Sequence, residues 1–313
     1  MPRKLLTIFG ATGNQGGSVA NYVLADKELS QQYSVRGITR SASNPKAQAL
    51  KSKGASIIEA DLDKPSTLMD ALNGTHTLFF LTNTQPGAQS REIEVRQAKS
   101  LLDEALKQDI KYIIFSSLPN ASKISNGKLQ HVHHFDIKAE IEQQIRSLPI
   151  KSSFFAPAAF MQNFLSVHMA PQPSPANDGS YILGNLCDVS TKYPLIDITD
   201  TGKWVGAVLA DPEKYAGKRF AAAERCYTWE EMARILSSVT GKTVVHRKVP
   251  DDVFKGFMPE VMRDQFFEMW ALCRDYGYYG ASMQDEVEWA ARQARGKLTS
   301  LEEFLKKVEF KLE

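Results

Sequence analysis

Short apolar runs alternate with helical patterns along the first half of the chain. Six runs have the length and the β-branched and aromatic content of buried strands, and they lie at residues 4–9, 33–39, 55–60, 76–82, 111–117 and 151–156. Apolar residues recur at helical spacing between these runs, near residues 15–27, 45–53, 65–73, 88–108 and 134–147. This alternation predicts an α/β fold in which helices cover both faces of a parallel sheet.

The pattern changes after residue 156. A stretch at 170–180 is rich in Pro, Gly and Asn, which predicts a loop. From about residue 223 onward the apolar spacing is mostly helical, and one short predicted strand at 242–249 interrupts it.

This change indicates two domains. We predict a sheet domain at residues 1–155 and a smaller, mainly helical domain at residues 156–313. The segments near 182–198 and 218–222 have strand character. We expect these two segments either to stay with the smaller domain or to return to the main sheet.

Several helix starts in the second half are marked by capping residues. Thr228 with Glu231, and Thr299 with Glu302, have the spacing of a capping box, in which two side chains satisfy free backbone N–H groups. Asp200 is expected to cap the helix that follows it, because a carboxylate is a favoured N-cap acceptor.

Composition excludes several classes of protein. The chain has 313 residues and a net charge of +2, which gives no electrostatic reason to expect nucleic acid. No apolar run approaches the ~20 residues that span a bilayer. The three cysteines, Cys187, Cys226 and Cys273, include no CxxC pair, which predicts reduced thiols and no zinc site. We expect a cytoplasmic protein, with access to the nucleus left open.

A glycine-rich loop follows the first predicted strand. Gly10, Gly13 and Gly16 give the spacing GxxGxxG directly before a helix. Glycine at these positions permits a tight turn, a close backbone approach to a pyrophosphate, and close packing of helix on sheet. The N–H groups of Asn14, Gln15 and Gly16 would then face the phosphates. We predict a dinucleotide site, and the alternative is a tight turn without a ligand.

The end of the second strand indicates which dinucleotide binds. An acidic residue there would hold a ribose 2′-hydroxyl and favour NAD. Arg40 occupies this place, and no Asp or Glu lies near it in the sequence. A guanidinium can pair with a 2′-phosphate, and each hydrogen bond to a charged group contributes about 1.5–3 kcal/mol. Arg40 therefore favours NADP, and the alternative is a surface arginine.

Other strand ends extend the predicted groove. Asp61 and Leu62 follow the third strand, where an adenine would lie. Thr82 and Asn83 follow the fourth strand, beside the nicotinamide half. Both positions fit the rule that open α/β sheets bind ligands outside the carboxyl ends of their strands.

Several sequence blocks together resemble the NmrA-like family, an atypical branch of the short-chain dehydrogenase/reductases. They include GATGNQGGSVA, ITRSASNPKAQAL, HFDIKAEIEQQI and FMQNFL, and the resemblance covers nearly the whole chain. The glycine block alone is shared widely, whereas HFDxK combined with FxxNF is much more specific. The resemblance implies a Rossmann-type, doubly wound parallel sheet that binds NADP(H), and a smaller C-terminal domain that closes a cleft.

The resemblance also implies roles for particular residues. It places on the cofactor Gly10, Thr12, Gly13, Asn14, Gln15, Gly16, Arg40 and Arg96. It places Lys138 and the loop Ala156–Asn163, including Phe160 and Asn163, beside the nicotinamide. Some members of the family are redox sensors that regulate partners such as transcription factors. Others resemble reductases or isomerases, several of them in fungal secondary metabolism.

The stretch HVHHFDIK contains the candidate catalytic residues. Typical short-chain dehydrogenases use Tyr-x-x-x-Lys, and this chain keeps Lys138 but has His134 in place of the tyrosine. The i,i+4 spacing puts both side chains on one helical face. Acid–base catalysis and cofactor binding alone both fit this arrangement. A metal site that includes His131 and Asp136 is least favoured, because the zincin spacing is absent.

The expected substrate pocket is mostly apolar. We expect its lining to include Ser117, His131, Phe160, Met161, Phe164 and Trp270. Ser116 and Ser117 end the fifth strand, where the dehydrogenase family often has a substrate-orienting serine, and His168 is expected to face the nicotinamide. Such a lining suits a flat apolar or aromatic ligand.

These observations lead to two functional hypotheses. The first is an NADP(H)-dependent oxidoreductase or redox-assisted isomerase that acts on a small apolar or aromatic metabolite. The alternative is a non-enzymatic NADP(H) sensor that binds a protein partner. We expect a monomer or homodimer, with no nucleic acid, membrane or metal involved.

Overall fold

The computed structural model describes residues 2–85, 87, 89–166 and 169–312. In the first half the strands are β1 (Lys4–Phe9), β2 (Tyr33–Thr39), β3 (Ser56–Glu59), β4 (Thr77–Phe80), β5 (Tyr112–Ser116) and β6 (Lys151–Pro157). The helices there are α1 (Asn14–Ala25), α2 (Leu29–Gln32), α3 (Pro45–Ser52), α4 (Leu68–Leu72), α5 (Ser90–Lys107), α6 (Ala121–Ile124) and α7 (His133–Arg146). Each predicted strand and helix of this half is present, with shifts of a few residues at the ends.

The second half contains shorter strands and more helix. Its strands are β7 (Ala159–Phe160), β8 (Gln172–Pro173), β9 (Tyr181–Asn185), β10 (Lys192–Ile196), β11 (Arg219–Ala222), β12 (Arg225–Thr228) and β13 (Val244–Lys248). Its helices are α8 (Thr201–Ala210), α9 (Pro212–Tyr215), α10 (Trp229–Thr240), α11 (Asp251–Gly256), α12 (Glu260–Asp275), α13 (Met283–Gln293) and α14 (Leu301–Lys307).

The main sheet is doubly wound. Within the described residues it has seven strands in the order β11-β6-β5-β4-β1-β2-β3, and all neighbouring pairs are parallel. The chain runs outward from β1 to one edge and then returns to build the other side. The predicted fold class is confirmed. Because the strands are parallel, their carboxyl ends meet at one edge, where ligands bind in such folds.

One strand of the second half joins the main sheet, and the others form separate sheets. Strand β11 pairs with β6 and becomes an outer strand of the main sheet. Strands β9 and β10 lie outside the main sheet, in two separate three-stranded sheets. A return to the main sheet is therefore seen for the segment near 218–222 and is wrong for 182–198. The domain boundary at residue 155 stays a prediction. No described helix is long and apolar enough to cross a bilayer.

One of the two predicted capping boxes is wrong. Thr228 and Glu231 form the expected box at the start of α10. The box at α14 uses Ser300 and Glu303 in place of Thr299 and Glu302. The helix begins one residue later than predicted, so that the register of the box moves by one.

The correction at α14 has a structural cause. The N–H of Thr299 donates to a carboxylate oxygen of Asp200 at 2.7 Å, which ties the chain before the helix. The same carboxylate lies 2.6 Å from the Lys203 ammonium. Asp200 is thus committed to these contacts, and its side chain makes no capping hydrogen bond to α8. The expectation that Asp200 caps this helix is wrong.

Helix α8 packs directly on α1 through its glycines. A β-carbon on Gly202 would lie 2.4 Å from Cβ of Tyr22 and 2.8 Å from the Ser18 carbonyl oxygen. Such distances leave no room for a side chain. The second half of the chain therefore covers the helix that the glycine loop opens.

Replacing Gly202 by valine should lower the free energy of unfolding by at least about 1–3 kcal/mol, because the added side chain forces the two helices apart. Gly256→Val is the control, since nothing lies within 4 Å of a β-carbon there. That exposed substitution should change stability by no more than about 0.5 kcal/mol. Urea denaturation of both variants checks the difference, and equal stabilities would contradict the packing described.

Candidate functional site

The glycine loop joins β1 to α1 at the carboxyl edge of the sheet. Gly10 has a φ of 69°, which lies in the left-handed region that favours glycine. A β-carbon on Gly16 would lie 2.4 Å from the Gly10 carbonyl oxygen, so that only glycine fits. Thr12, in the same loop, is half-buried. The loop thus has the tight turn and the close helix–strand packing that the spacing predicted.

The first turn of α1 presents free backbone donors at this edge. The helix begins at Asn14, and no side chain caps it. Within the described chain the N–H groups of Asn14, Gln15 and Gly16 have no acceptor, whereas the next one, of Gly17, donates to Gly13 at 3.0 Å. Free donors at the positive end of a helix favour an anionic group such as a phosphate.

Arg40 lies where β2 ends, and its side chain is exposed. It makes no hydrogen bond or ion pair with any described residue. Glu59, the last residue of β3, pairs in register with Thr39. The Glu59 carboxylate accepts the N–H of Ala42 at 2.6 Å. No Asp or Glu lies near Arg40 along the sequence, but the parallel pairing of β2 and β3 brings Glu59 to the loop that follows Arg40.

The other predicted cofactor residues differ in exposure. Asp61 and Leu62, after β3, are half-buried, and Leu62 packs on the core. After β4, Thr82 is buried and Asn83 is exposed. The Arg96 side chain, which α5 supplies, is 61% exposed. Of these five, Asn83 and Arg96 are open to a ligand, while Thr82 faces inward.

A buried ion pair holds Lys138 at the end of β4. Its ammonium lies 2.6 Å from a carboxylate oxygen of Glu94 and 2.9 Å from the Thr82 carbonyl oxygen. Glu94 is fully buried, with 0% exposure, and it also accepts the hydroxyls of Thr82 and Thr84 at 2.5 and 2.8 Å. The Glu94 carboxylate thus forms a buried polar cluster with Lys138, Thr82 and Thr84.

The cluster sets what Lys138 can do. Burial lowers the pKa of Lys138, and the neighbouring Glu94 carboxylate opposes this shift. An ammonium has three N–H donors. Two are engaged with Glu94 and the Thr82 carbonyl oxygen at short distance, and the third has only the Thr82 and Thr84 hydroxyls, each at 3.4 Å. We expect the Lys138 ammonium to act as a hydrogen-bond donor in a fixed position. Any N–H that bonds a ligand more strongly must first break its bond within the cluster.

His134 is uncharged at neutral pH. Burial and the nearby Lys138 ammonium lower the pKa of its imidazole to about 4. The Gln265 amide nitrogen lies 3.2 Å from Nδ1 of His134. An amide nitrogen can only donate, so Nδ1 is the acceptor and Nε2 carries the proton. His134 therefore offers one neutral N–H donor.

His131 and the two candidate serines are each hydrogen-bonded to another side chain. His131 bonds Glu268 of α12 through its backbone N–H at 2.6 Å and through Nδ1 at 2.5 Å. The Ser117 hydroxyl is buried and donates to Glu142 at 2.6 Å. Ser116 donates to the Gln15 side chain at 2.6 Å, next to the glycine loop. Of the two serines, Ser116 is the one in contact with the candidate cofactor loop.

The apolar pocket candidates are mostly core residues. Met161 and Phe164 are fully buried, and Trp270 stacks on Tyr193 with ring centroids 5.4 Å apart. Phe160 and Asn163 are half-buried. His168, which was expected to face the nicotinamide, lies outside the described residues. The structure favours a packing role for the three buried side chains.

Among the described residues, no three His, Cys, Asp or Glu side chains are arranged to hold a metal ion.

A sequence model of one family matches almost the whole chain. The NmrA-like family model aligns with residues 2–305. This chain belongs to the NmrA-like family. The resemblance seen in its sequence blocks is thereby confirmed.

Similar NmrA-like proteins occur in an amoeba and in fungi. A family member from Dictyostelium discoideum is 32% identical, with full coverage of both chains. The NmrA-like oxidoreductase lnaB of Aspergillus flavus is 30% identical over 76% of this chain and 74% of its own length. The NmrA-like oxidoreductase himF of Aspergillus japonicus is 29% identical over 93% of this chain and 90% of its own length.

Solved structures share this fold at low identity. NmrA, a negative transcriptional regulator crystallised with NADP, has a TM-score of 0.80 and 21% identity, covering 98% of this chain and 96% of its own. The triphenylmethane reductase of Citrobacter sp., crystallised with NADP(H), has a TM-score of 0.75 and 21% identity, covering 97% of this chain and 99% of its own. At this identity the likeness establishes the fold.

Sequence reasoning missed Glu94, Gln265 and Glu268 in this NmrA-like chain. The segment around 88–108 contains several Glu, Arg and Lys residues, which are typical of a solvated helical face. Glu94 instead shares a helical face with Ala98 and Leu101, both fully buried. A charged residue on the apolar face of a helix predicts a buried partner, and this signal was available in the sequence. The contacts of Gln265 and Glu268 depend on tertiary packing and had no such signal.

The His131–Glu268 contact joins the start of α7 to α12 and should depend on pH. The carboxylate hydrogen bond raises the pKa of His131. A raised folded pKa means that the stabilisation is complete below about pH 6.5, the ordinary pKa of histidine, and is lost as the pH rises through the raised value.

Glu268→Gln should therefore destabilise the protein more at about pH 5.5 than at about pH 9. Thermal unfolding at both pH values measures the difference from the parent protein. Glu260→Gln, an exposed position on the same helix, is the control. A loss for Glu268→Gln that is the same at both pH values would contradict the charged contact.

Proposed function

We propose that this protein binds NADP(H) along the carboxyl edge of the sheet and transfers hydride between the cofactor and a small apolar or aromatic metabolite. The observation that carries the proposal is the glycine loop, where three free N–H groups and close-packed glycines leave room for a pyrophosphate. The oxidoreductase names of the fungal relatives, and the NADP-bound neighbours of the same fold, support it.

The residues present fit NADP(H). Asn14, Gln15 and Gly16 would donate to the pyrophosphate, and Arg40, which has no other described partner, would bind the 2′-phosphate. The bound cofactor would supply or accept the hydride. Lys138 would exchange its long contacts with the Thr82 and Thr84 hydroxyls for a hydrogen bond on the ribose side of the nicotinamide. Asn83 and Arg96 are open to contribute further contacts.

His134 would act as a polar contact for the substrate. It stands where the family of short-chain dehydrogenases has its tyrosine, and its neutral ring offers Nε2–H. Such a donor can polarise a carbonyl or imine while hydride adds to its carbon, and the oxygen or nitrogen anion that forms takes its proton from water. A redox-assisted isomerisation needs the same arrangement. A cytoplasmic location and a monomer or homodimer remain predictions.

A non-enzymatic NADP(H) sensor is the second candidate function. It is favoured by His134, because a ring with a pKa of about 4 is a poor proton donor at neutral pH. A sensor must bind NADP⁺ and NADPH with different affinities, since only differential binding shifts a conformational equilibrium.

An incubation of deuterated NADPH with aromatic carbonyl, imine and enone compounds distinguishes the enzyme from the sensor. Deuterium in a product favours the enzyme, and a large NADP⁺/NADPH affinity ratio without any transfer favours the sensor.

Arg40→Glu should weaken NADPH binding by about 10- to 100-fold, because the loss of charged hydrogen bonds and the added repulsion act together. NADH lacks the 2′-phosphate and should lose much less. Isothermal titration of both nucleotides against both proteins measures this. An equal loss for NADPH and NADH would contradict the assignment of Arg40 to the 2′-phosphate.

A further inference from the structure

The corner between β2 and β3 contains a carboxylate as well as a guanidinium. Glu59 ends β3 and is paired in register with Thr39, so its side chain lies beside the loop that begins with Arg40. One carboxylate oxygen, Oε1, accepts the Ala42 N–H at 2.6 Å. The other oxygen, Oε2, has no hydrogen-bond partner among the described residues, and the side chain is exposed.

The loop around this carboxylate is held from several sides. The Gln48 side chain donates to the Ala42 carbonyl oxygen at 2.7 Å. The Ser41 and Ser43 hydroxyls lie 2.9 Å apart and bond each other. Glu59 therefore contacts the loop that follows Arg40, the candidate ligand of the ribose 2′ group. The negative charge of Glu59 therefore interacts with any charge on the ribose 2′ group.

We propose that Glu59 sets how strongly this protein prefers NADP(H) over NAD(H). This inference rests on the proposed cofactor site. A 2′-phosphate carries up to two negative charges, so the Glu59 carboxylate repels it and offsets part of the attraction to Arg40. A 2′-hydroxyl carries no charge and can donate a hydrogen bond to Oε2. Arg40 and Glu59 thus act on the two nucleotides in opposite directions.

Two substitutions separate the charge of Glu59 from its contact with the loop. Glu59→Gln keeps an oxygen that can accept the Ala42 N–H but removes the charge. Glu59→Ala removes both. Because the loop contact survives in the first variant, a change in nucleotide preference there that shrinks at high salt reports the charge. Glu230→Gln, at an exposed position on α10, changes the net charge equally and serves as the control.

The test is to measure the dissociation constants of NADPH and NADH for the full-length protein and for the three variants. Each constant is measured at low and at high ionic strength. Glu59→Gln should bind NADPH about three- to tenfold more tightly, and NADH no more tightly than the parent protein does. The gain should shrink at high salt, because mobile ions screen exposed charges. Glu59→Ala should gain less than Glu59→Gln, because its loop has lost a contact.

Two results overturn the inference in distinguishable ways. If the parent protein binds neither nucleotide, the proposed function fails and the inference fails with it. If the parent protein binds NADPH but Glu59→Gln leaves the NADPH/NADH ratio within about twofold of the parent and of Glu230→Gln, only the role of Glu59 is refuted.

Discussion

Glu94→Ala is expected to lower the free energy of unfolding by about 3–5 kcal/mol, the range seen when one member of a buried ion pair is removed. Glu94 has no solvent exposure and lies 2.6 Å from the Lys138 ammonium. Without it the ammonium stays buried, facing only the Thr82 carbonyl oxygen at short distance. The Thr84 hydroxyl also loses its acceptor.

Urea denaturation measures this loss, and two further variants sharpen it. Glu92→Ala, an exposed position on the same helix, should change stability by no more than about 0.5 kcal/mol. Glu94→Leu combined with Lys138→Met removes both charges and should be less destabilised than Glu94→Ala, because no uncompensated charge remains. If Glu94→Ala were no less stable than Glu92→Ala, the buried pair would not contribute as described.

Gly16→Ala is expected to weaken NADPH binding on the order of 100-fold. The new β-carbon would lie 2.4 Å from the Gly10 carbonyl oxygen and 3.0 Å from that of Phe9. Both contacts are with backbone, which has no rotamer to change, so the start of α1 must move away from β1. The donors of Asn14 and Gln15 move with it, and a displacement of about 1 Å in a preorganised site costs on the order of 100-fold.

Gly17→Ala is the matched control for this loop. Its β-carbon would lie 3.2 Å from the Ala11 carbonyl oxygen, a tight but tolerable contact. We expect it to keep most of the NADPH affinity, as measured by the fluorescence of the bound cofactor. Far-UV circular dichroism must show that both variants are folded. Binding by Gly16→Ala that equals that of the parent would refute the role of this close packing.

The fold was predictable because its signals are local. The apolar runs of β1, β4 and β5 are short, buried and separated by helices of the right length, and such a pattern has one common solution. The strands at 181–185 and 192–196 carry the same local signal but pair elsewhere. Which strand pairs with which depends on long-range packing, and periodicity contains no information about it.

The sequence predicted those parts of the candidate site in which a single residue type is enough to indicate a role. The assignments of Gly16 and Arg40 rest on the absence of a side chain and on the presence of one charge. Glu59 was missed because it reaches the loop after Arg40 only through the parallel register of two strands. His131 was assigned to the substrate pocket, yet it bonds Glu268, a residue much later in the chain.

Lys138 illustrates the limit of motif reasoning. Its spacing from His134 was correctly recognised, and both lie on α7. The motif did not show that Glu94 already occupies part of its donor capacity. The contact with Glu94 favours cofactor binding over proton transfer as the role of Lys138.

The central claim is that the carboxyl edge of the sheet holds NADP(H). A crystal structure of the complete protein with NADPH tests it most directly. We expect the pyrophosphate on the N–H groups of Asn14, Gln15 and Gly16, the 2′-phosphate on Arg40, and the nicotinamide beside Lys138. NADPH bound at another edge of the sheet, or no binding at millimolar NADPH in crystals and in solution, would contradict it.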